Sequence, residues 1–428
     1  MRPGDFDENR SFWAATAPPS EPCPPLRGTV TCDVAIIGGG FMGVSTAREL
    51  LQRRPGLGVV LLEARTLGNG ATGRNGGQVL NWINGVHPKS PEEIKRVWDT
   101  TLHGIDTVLR RADRKGVRWS RNGAMECYTD QKRAEDAHAY VERLQAAGVP
   151  VRFVQGDELR RLTRAEGVVG AVFDPTAGVL AGLDLVRAEK PDLLAAGCRI
   201  YEETPVTRVE GDGPHVLTTP DGEVRADAIV LATNGYTGLL GWFQDRILPL
   251  QSHVVALPMN AGEWGDADAW ADDMDRISYA ARTPDGHLIF GGGSNHAYGY
   301  HFGGRTSSVT TPKARAALDN RLSRYFPGKR VEGAPHVWSG TLGVTMTRGC
   351  SIGRKGSVYW GLGWSGHGVT LANLAGEVIA DIYIGAGEKW ADQPFFGAPL
   401  GWIPPEPLRW AGYHIYTTLT GKSPRRAG

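Results

Sequence analysis

Cysteine is scarce in this sequence. Cys23, Cys32, Cys127, Cys198 and Cys350 are the only five in 428 residues, and no C-x-x-C occurs. The odd count and wide spacing disfavour a disulfide scaffold, a zinc ribbon and a thioredoxin-like redox pair, and no metal site is expected. An excess of one charge is also lacking: Lys+Arg 47 against Asp+Glu 46 leaves +1. Apart from a local patch, nothing in that balance supports nucleic acid or an acidic membrane surface as the main partner. No stretch approaches about 18 apolar residues, so no transmembrane helix is predicted. No apolar run follows Met1-Arg2-Pro3-Gly4-Asp5. That start does not read as a signal peptide, and cytoplasmic residence is the expectation. Internal repeats are absent.

Glycine, by contrast, is abundant: 58 of 428 residues, about twice the usual ~7%. The length predicts two or three domains and a core that needs no disulfide or metal clip. Residues 1–28 read as an irregular arm, with prolines at 18, 19, 22, 24 and 25 and with Phe12 and Trp13 available to tack it onto the body. The apolar run 32–37 then ends in Gly38-Gly39-Gly40, as a buried parallel strand does. Residues 44–51 follow as a helix and 59–63 as a second strand. Further helices are predicted over 91–115, 131–147, 187–196 (kinked by Pro191), 312–326 and 370–384. Further strands are predicted over 123–129, 226–232, 288–290 and 358–362. From residue 385 on, prolines and aromatics predict a tail that wraps the surface.

Gly38, Gly40 and Gly43 form G-x-G-x-x-G between the first strand and its helix, with Phe41 and Met42 inside the motif. The first glycine permits the tight turn, the second lets the backbone approach a pyrophosphate, and the third lets helix and strand pack closely. Helix N-terminal N–H groups then face the phosphates. Glu63, 20 residues after Gly43 and at the end of the next strand, is placed to accept hydrogen bonds from a ribose hydroxyl, with Ala64 and Arg65 beside it. This fingerprint does not by itself choose between NAD and FAD. A second glycine cluster follows, Gly68, Gly70, Gly73, Gly76 and Gly77, interleaved with Thr72, Arg74, Asn75 and Gln78. A nicotinamide enzyme has no use for it, whereas a loop running close to a flavin pyrophosphate and ring does.

Taken in order, Gly38 to Gly43 with Glu63, Gly73-Arg74-Asn75-Gly76-Gly77, Ala232-Thr233-Asn234-Gly235-Tyr236 and Gly363-Trp364-Ser365-Gly366-His367-Gly368 resemble the D-amino-acid oxidase superfamily of FAD enzymes. Within it the chain most resembles the γ-glutamylputrescine oxidase branch, through Ser11-Phe12-Trp13-Ala14-Ala15-Thr16-Ala17 and Arg74-Asn75-Gly76-Gly77-Gln78. The likeness covers roughly residues 10–385. It implies FAD as cofactor, with Val206 beside the adenine and Thr233-Asn234-Gly235 near the flavin. Gly366-His367-Gly368-Val369 would open the last helix under the ring, where a helix N-terminus stabilises the anionic reduced flavin. His367 reads either as a catalytic residue or as a histidine that holds this turn.

The chain departs from the family pattern in three places. Relatives read Thr-x-Asp-x-x-Pro-x-Ile-Gly where this chain has Thr345-Met346-Thr347-Arg348-Gly349-Cys350-Ser351-Ile352-Gly353, so Thr347 and Cys350 replace an acid and a proline close to the flavin. Where some relatives attach flavin through cysteine, this chain has Trp338-Ser339-Gly340-Thr341, and non-covalent FAD is expected. The lysine that assists oxygen reduction in sarcosine-oxidase-like relatives has no counterpart in the stretch 294–301, so either O2 or another acceptor could take the electrons.

The resemblance implies α/β plus α+β architecture. A Rossmann-like FAD-binding domain with a parallel sheet is expected from 29–90, 155–235 and 340–385. A discontinuous substrate domain on a mainly antiparallel sheet is expected from 91–154 and 236–339, with 386–428 as a tail. The implied reaction is oxidation of a primary or secondary amine by hydride transfer to flavin N5, the imine hydrolysing to an aldehyde or keto product, with O2 giving H2O2. Tyr298, His301, Trp338 and Arg348 join His367 as candidate catalytic residues. His253 and Tyr300 are candidates for the substrate wall, and Arg305 or Arg348 could grip an anionic end. An amino acid, N-methyl amino acid or aminophosphonate is the alternative substrate class. A nicotinamide-using flavin reductase or monooxygenase is more distant, because no second G-x-G-x-x-G lies in a strand–helix unit. A non-catalytic or nucleic-acid-modifying flavoprotein is the remaining reading, against which the net charge speaks.

Overall fold

The computed structural model of the chain describes residues 11–306 and 309–420; residues 1–10 of the expected arm and 421–428 of the expected tail lie outside the described residues. The apolar run after the arm forms strand Gly28–Ile37, buried over its last four residues. It pairs in parallel with Val59–Leu62 on one side and Gly222–Leu231 on the other. Arg199–Tyr201 adds beyond Val59–Leu62, and Val358–Leu362 beside Gly222–Leu231, both parallel. The carboxyl ends of these strands therefore share one edge. Gly28–Ile37 is the strand at which the connections change direction, which is where open α/β sheets bind ligands.

Alternation decides what covers each face. Val34 and Ile36 enter the core shared with helices Phe41–Arg53 and Gly368–Tyr383, while Ala35 and Ile37 enter the opposite core with Val206, Leu217 and Val224. Helix Gly368–Tyr383 is buried over most of its length and packs against both Phe41–Arg53 and Pro91–Arg114. The first of these crossings is very close, since a Cβ on Gly376 would stand 2.2 Å from Ser45 Oγ.

The second sheet has nine strands and is mainly antiparallel, as expected. Its path runs from His336–Val344 through Leu248–Pro258, His287–Gly292, Ser278–Arg282, Ala269–Asp272, Ala124–Tyr128 and Gly170–Asp174 to Arg152–Val154. Only the pairing of Ala269–Asp272 with Ala124–Tyr128 is parallel. Helix Pro312–Tyr325 backs this sheet through Leu318, Leu322 and Tyr325. One buried cluster runs from Val34 and Leu61 to Val254, Ile289 and Trp338, so the two sheets are packed directly together.

The strands divide differently from the expected segments. Gly170–Asp174, expected on the cofactor side, pairs with Ala124–Tyr128 in the second sheet, and His336–Val344 carries that sheet past residue 340. Helix Pro91–Arg114, expected on the substrate side, lies against Gly368–Tyr383. Ladder partners lie far apart in sequence, and neither strand advertises its partner locally. Helix Gly182–Ala195 starts earlier than its composition suggested and keeps Pro191 inside it. The tail does wrap back, with Ile352 N–H donating to Phe395 O at 2.9 Å and Gly397 N–H to Ile352 O at 2.8 Å. It also forms a helix the prolines had obscured, Leu408–Thr420.

The arm is not irregular throughout. Ser11 caps the short helix Phe12–Thr16, its hydroxyl accepting from Ala14 N–H. Ser11 Oγ also donates to Gly73 O at 2.5 Å, and Trp13 Nε1 to Asn75 O at 2.8 Å. Gly77, at φ +78°, has no room for a side chain because a Cβ would stand 2.7 Å from the Trp13 ring. Two stretches that are separate in sequence thus form one unit, with the arm as the base of the glycine-rich loop. Replacing Trp13, only 1% exposed, by Ala is expected to destabilise the protein by about 3–5 kcal/mol in denaturant unfolding. Bound flavin should fall with it, and an unchanged unfolding midpoint would show that the arm is not part of the folded unit.

Candidate active site

At the carboxyl edge of the parallel strands, Gly38 turns the chain at φ +106°. Helix Phe41–Arg53 begins with Gly40 as its N-cap, which has no side chain to cap it. A Cβ on Gly43 would stand 1.9 Å from Gly38 O. Only glycine lets helix and turn approach this closely, so the first N–H groups of the helix remain at the sheet edge. Thr72, from the second glycine cluster, accepts from Phe41 N–H at 3.0 Å and fixes that loop across the helix start.

Glu63 stands at the end of the second strand. Its carboxyl accepts from Gly39 N–H at 2.7 Å and from Arg65 N–H at 2.9 Å. Burial pushes its pKa up to about 7, against the lowering effect of those N–H groups. A hydroxyl arriving from the cavity would add a further donor and favour the charged form.

A cavity of about 610 Å³ opens here and continues between the two sheets. Its lining includes the predicted Gly38, Gly40, Phe41, Met42, Glu63, Ala64, Gly70, Thr72, Arg74, Asn75, Gly76, Gln78, Val206, Thr233, Asn234, Gly235, Gly366, His367, Gly368 and Val369. Gly43, Arg65, Gly73, Gly77 and Gly363 do not line it. Gly43 packs on Gly38, Gly73 on Gly68 and Gly77 on Trp13, while Arg65 pairs with Glu203. Gly363 donates its N–H to Asn234 Oδ1 at 3.2 Å and so joins the two loops that flank the cavity. Arg74 is buried; Nε donates to Asn69 O at 2.8 Å and Nη1 to Ser339 O at 3.1 Å, which ties the loop to the second sheet.

His367 is the N-cap of helix Gly368–Tyr383. The Asn84 amide nitrogen donates to Ser365 O and meets His367 Nδ1, both at 2.8 Å. A nitrogen that faces a carbonyl is a donor, so His367 Nδ1 is an acceptor and a neutral ring carries its proton on Nε2. His367 thus holds this turn, and it lines the cavity.

The second sheet supplies the opposite wall. Tyr298 lines the cavity as predicted, its hydroxyl donating to Ile277 O at 3.2 Å. Burial raises its pKa, and that of neighbouring Tyr279 to about 12, so both phenols stay neutral. Arg348 also lines the cavity, at φ +62°, with Nη2 2.8 Å from Asp275 Oδ1. The other predicted wall residues lie elsewhere. Trp338 is fully buried behind the glycine-rich loop and donates Nε1–H to Arg74 O at 3.0 Å, so it supports the loop. His253 points away from the cavity because its strand neighbour Ser252 points into it; burial lowers its pKa to about 4. His301 is exposed and engages Gln251 Oε1 at 2.6 Å, while Tyr300 donates to Glu406 Oε1 at 2.5 Å beneath the tail. Arg305 is exposed and does not line the cavity.

Sequence reading missed Asn84, Ser252, Tyr279, Asp275 and Arg276, all in the lining. For the last two a signal existed. Asp272-Asp273-Met274-Asp275-Arg276 puts four charges directly after a strand, and all four are buried. Charges that fold inward need partners. Asp275 lies between Arg348 and Arg276, whose Nη1 is 3.4 Å from Asp275 Oδ2. Arg276 Nε donates to Asn295 Oδ1 at 2.9 Å. Its Nη2 is buried with no hydrogen-bond partner among the described residues. The trio itself, one acid and two guanidiniums, carries one net positive charge, while Glu126 and Asp174 also line the cavity.

A sheet edge with a glycine cradle, a buried acid at the end of the next strand and a cavity continuing between two sheets fits a dinucleotide-dependent enzyme. A sequence profile of the DAO family, described as FAD dependent oxidoreductase, matches residues 33–382, and the chain belongs to that family. It is 27% identical over 413 residues to the gamma-glutamylputrescine oxidoreductase of Escherichia coli (strain K12), which covers 92% of this chain and 94% of the relative. The crystal structure of glycine oxidase from Geobacillus kaustophilus shares the fold with a TM-score of 0.73 at 22% identity, covering 87% of this chain and all of that one. L-proline dehydrogenase from P. horikoshii matches at TM-score 0.70 and 21% identity, over 86% of this chain and 98% of that one. The cofactor is FAD, and the residues present fit it: a cradle that Cβ atoms would fill, the Glu63 carboxyl at the adjoining strand end, and a cavity reaching on to a helix N-terminus.

Proposed function

We propose that the chain oxidises a primary or secondary amine that also bears an anionic group, γ-glutamylputrescine-like, with O2 as acceptor and H2O2 as product. The carrying observation is the wall of the cavity opposite the cradle. Its phenols are neutral, and it holds Arg276, whose buried Nη2 has no hydrogen-bond partner among the described residues. When bound, FAD supplies a two-electron oxidant that accepts hydride from the amine-bearing carbon. The chain's own residues do the rest. Tyr279 and Tyr298 offer neutral hydroxyls against which an amine can lie uncharged, so no strong base is required. Arg276 holds a carboxylate by charge-assisted hydrogen bonds. His367, Gly368 and Val369 present the start of a 16-residue helix, whose positive end favours negative charge beside it. The imine leaving the site hydrolyses to an aldehyde or keto compound. FAD is held non-covalently: none of the five cysteines lines the cavity, and burial pushes the Cys350 thiol up to about 12.

An amino acid substrate is the second reading, and Arg276 would serve it equally. One experiment separates the two. Under anaerobic conditions the purified flavoprotein is mixed in turn with γ-glutamylputrescine, putrescine, glycine, sarcosine, proline and NADPH while the oxidised flavin band is followed. Bleaching by γ-glutamylputrescine, with much less by putrescine, is expected. Bleaching by glycine, sarcosine or proline alone would transfer the assignment to amino acids. Bleaching by NADPH alone would overturn both. Readmitted air should restore the band within the turnover time, and persistence of the bleached state would rule out O2 as acceptor.

A further inference from the structure

Three residues on one face of helix Leu408–Thr420 meet the arginine corner of the cavity. Tyr413, Tyr416 and Thr417 are spaced as neighbours on a helix surface. Tyr413 and Tyr416 each place a ring 5.9 Å from the Arg276 guanidinium. Tyr416 Oη lies 3.4 Å from Asp275 Oδ1, the oxygen that Arg348 Nη2 also meets. Asn295, whose Oδ1 accepts from Arg276 Nε, donates through Nδ2 to Thr417 O at 2.5 Å. None of the three lines the cavity; they touch the residues that do. The helix is also pinned at its start. Glu406 Oε2 accepts from Trp410 N–H at 3.1 Å, while its Oε1 accepts from the Tyr300 hydroxyl at 2.5 Å and from Gly303 N–H at 3.1 Å.

The Tyr300 ring lies 5.7 Å from the Tyr413 ring, so Tyr413 is packed between Tyr300 and Arg276. Its hydroxyl is buried with no hydrogen-bond partner among the described residues. What Tyr413 offers Arg276 is therefore its ring. A guanidinium is attracted to an aromatic ring by the ring quadrupole, more strongly where water is excluded. A free arginine side chain samples many rotamers, and fixing one of them before substrate arrives lowers the cost of binding. We infer that the tail helix, through Tyr413 and Tyr416, positions the Arg276 guanidinium for the anionic end of the substrate. A segment outside the cavity then sets the specificity within it. This inference rests on the proposed role of Arg276 as the carboxylate site.

The test is steady-state kinetics of the full-length, FAD-loaded protein with γ-glutamylputrescine and with putrescine. Tyr413→Leu with Tyr416→Leu should lower kcat/KM for γ-glutamylputrescine about tenfold, mainly through KM. The value for putrescine, which has no anionic end, should change little. Tyr413→Phe should match the unchanged protein, because it keeps the ring and loses only a hydroxyl without a partner. In an Arg276→Met background the leucine pair should cost nothing further, as expected of residues that act through Arg276. If the leucine pair does not fold, Tyr413→Leu alone carries the same comparison with a smaller loss. Equal losses on both amines, or losses that add in full to those of Arg276→Met, would overturn the inference and leave the role of Arg276 standing. So would a loss in Tyr413→Phe as large as in Tyr413→Leu. If the unchanged protein does not prefer γ-glutamylputrescine, or if Arg276→Met keeps that preference, the substrate reading falls and the inference falls with it.

Discussion

Gly43→Ala is expected to yield a folded protein that purifies nearly colourless. The added Cβ would stand 1.9 Å from Gly38 O and 3.0 Å from Gly38 C, which are backbone atoms with no rotamer to change. Gly38 has no room to retreat, because it sits at φ +106° with Ala232 O beside it. The helix must therefore move off the turn, and its N–H groups move away from the phosphates they would hold. Losing that alignment should cost about 3 kcal/mol of FAD binding or more, roughly a hundredfold in affinity. The ratio of flavin to protein absorbance after gel filtration measures it. Gly412→Ala, where a Cβ meets nothing within 4 Å, is the matched control and should keep its flavin. A Gly43→Ala protein with full flavin content would mean that the crossing can open without disturbing the cradle.

Arg276→Met should abolish discrimination in favour of substrates with an anionic end. Arg276 is 8% exposed. Its Nε is bonded to Asn295 and its Nη1 lies near Asp275, yet Nη2 has no hydrogen-bond partner among the described residues. A planar fork with one free prong in a cavity wall suits a carboxylate, and methionine fills similar volume without the charge. Removing a buried charge-assisted partner costs about 2–4 kcal/mol, on the order of 10²-fold in kcat/KM for the carboxylate-bearing amine. The same variant should change kcat/KM for putrescine, which has no anionic end, by no more than a few fold. Flavin content should stay normal, since Arg276 lies on the opposite sheet from the cradle. An equal loss on both amines would show that Arg276 holds the wall in place and does not hold substrate.

The cofactor half of this protein was legible in its sequence because its signals are local. Gly38, Gly40 and Gly43 lie within six consecutive residues, and Glu63 is one strand–helix–strand unit away. The physical demands on them, a tight turn, a close crossing and a buried carboxyl at a strand end, are met by residue type alone. The same holds for the buried strands 34–37 and 229–231 and for helix Gly368–Tyr383, whose many apolar residues mark it for burial. The substrate half was not legible in this way. Tyr298 and Tyr300 differ by two positions, yet one lines the cavity and the other lies beneath the tail on Glu406. Ser252 and His253 are adjacent, and the pleat sends one into the cavity and the other out of it. Trp338 had the composition of a wall residue, and its strand pairing placed it behind Arg74.

By itself, then, the sequence determined the dinucleotide cradle, the flavin-family architecture and the elements that build it, because each depends on residues a few positions apart. Only the tertiary structure decided which side chains face the substrate, that Asp275, Arg276 and Arg348 meet in one corner, and that the arm underlies the glycine-rich loop. Those placements depend on strand register and on contacts between residues far apart in the chain. A one-residue change of register reverses which face a side chain joins, while the local pattern that sequence reading relies on stays the same.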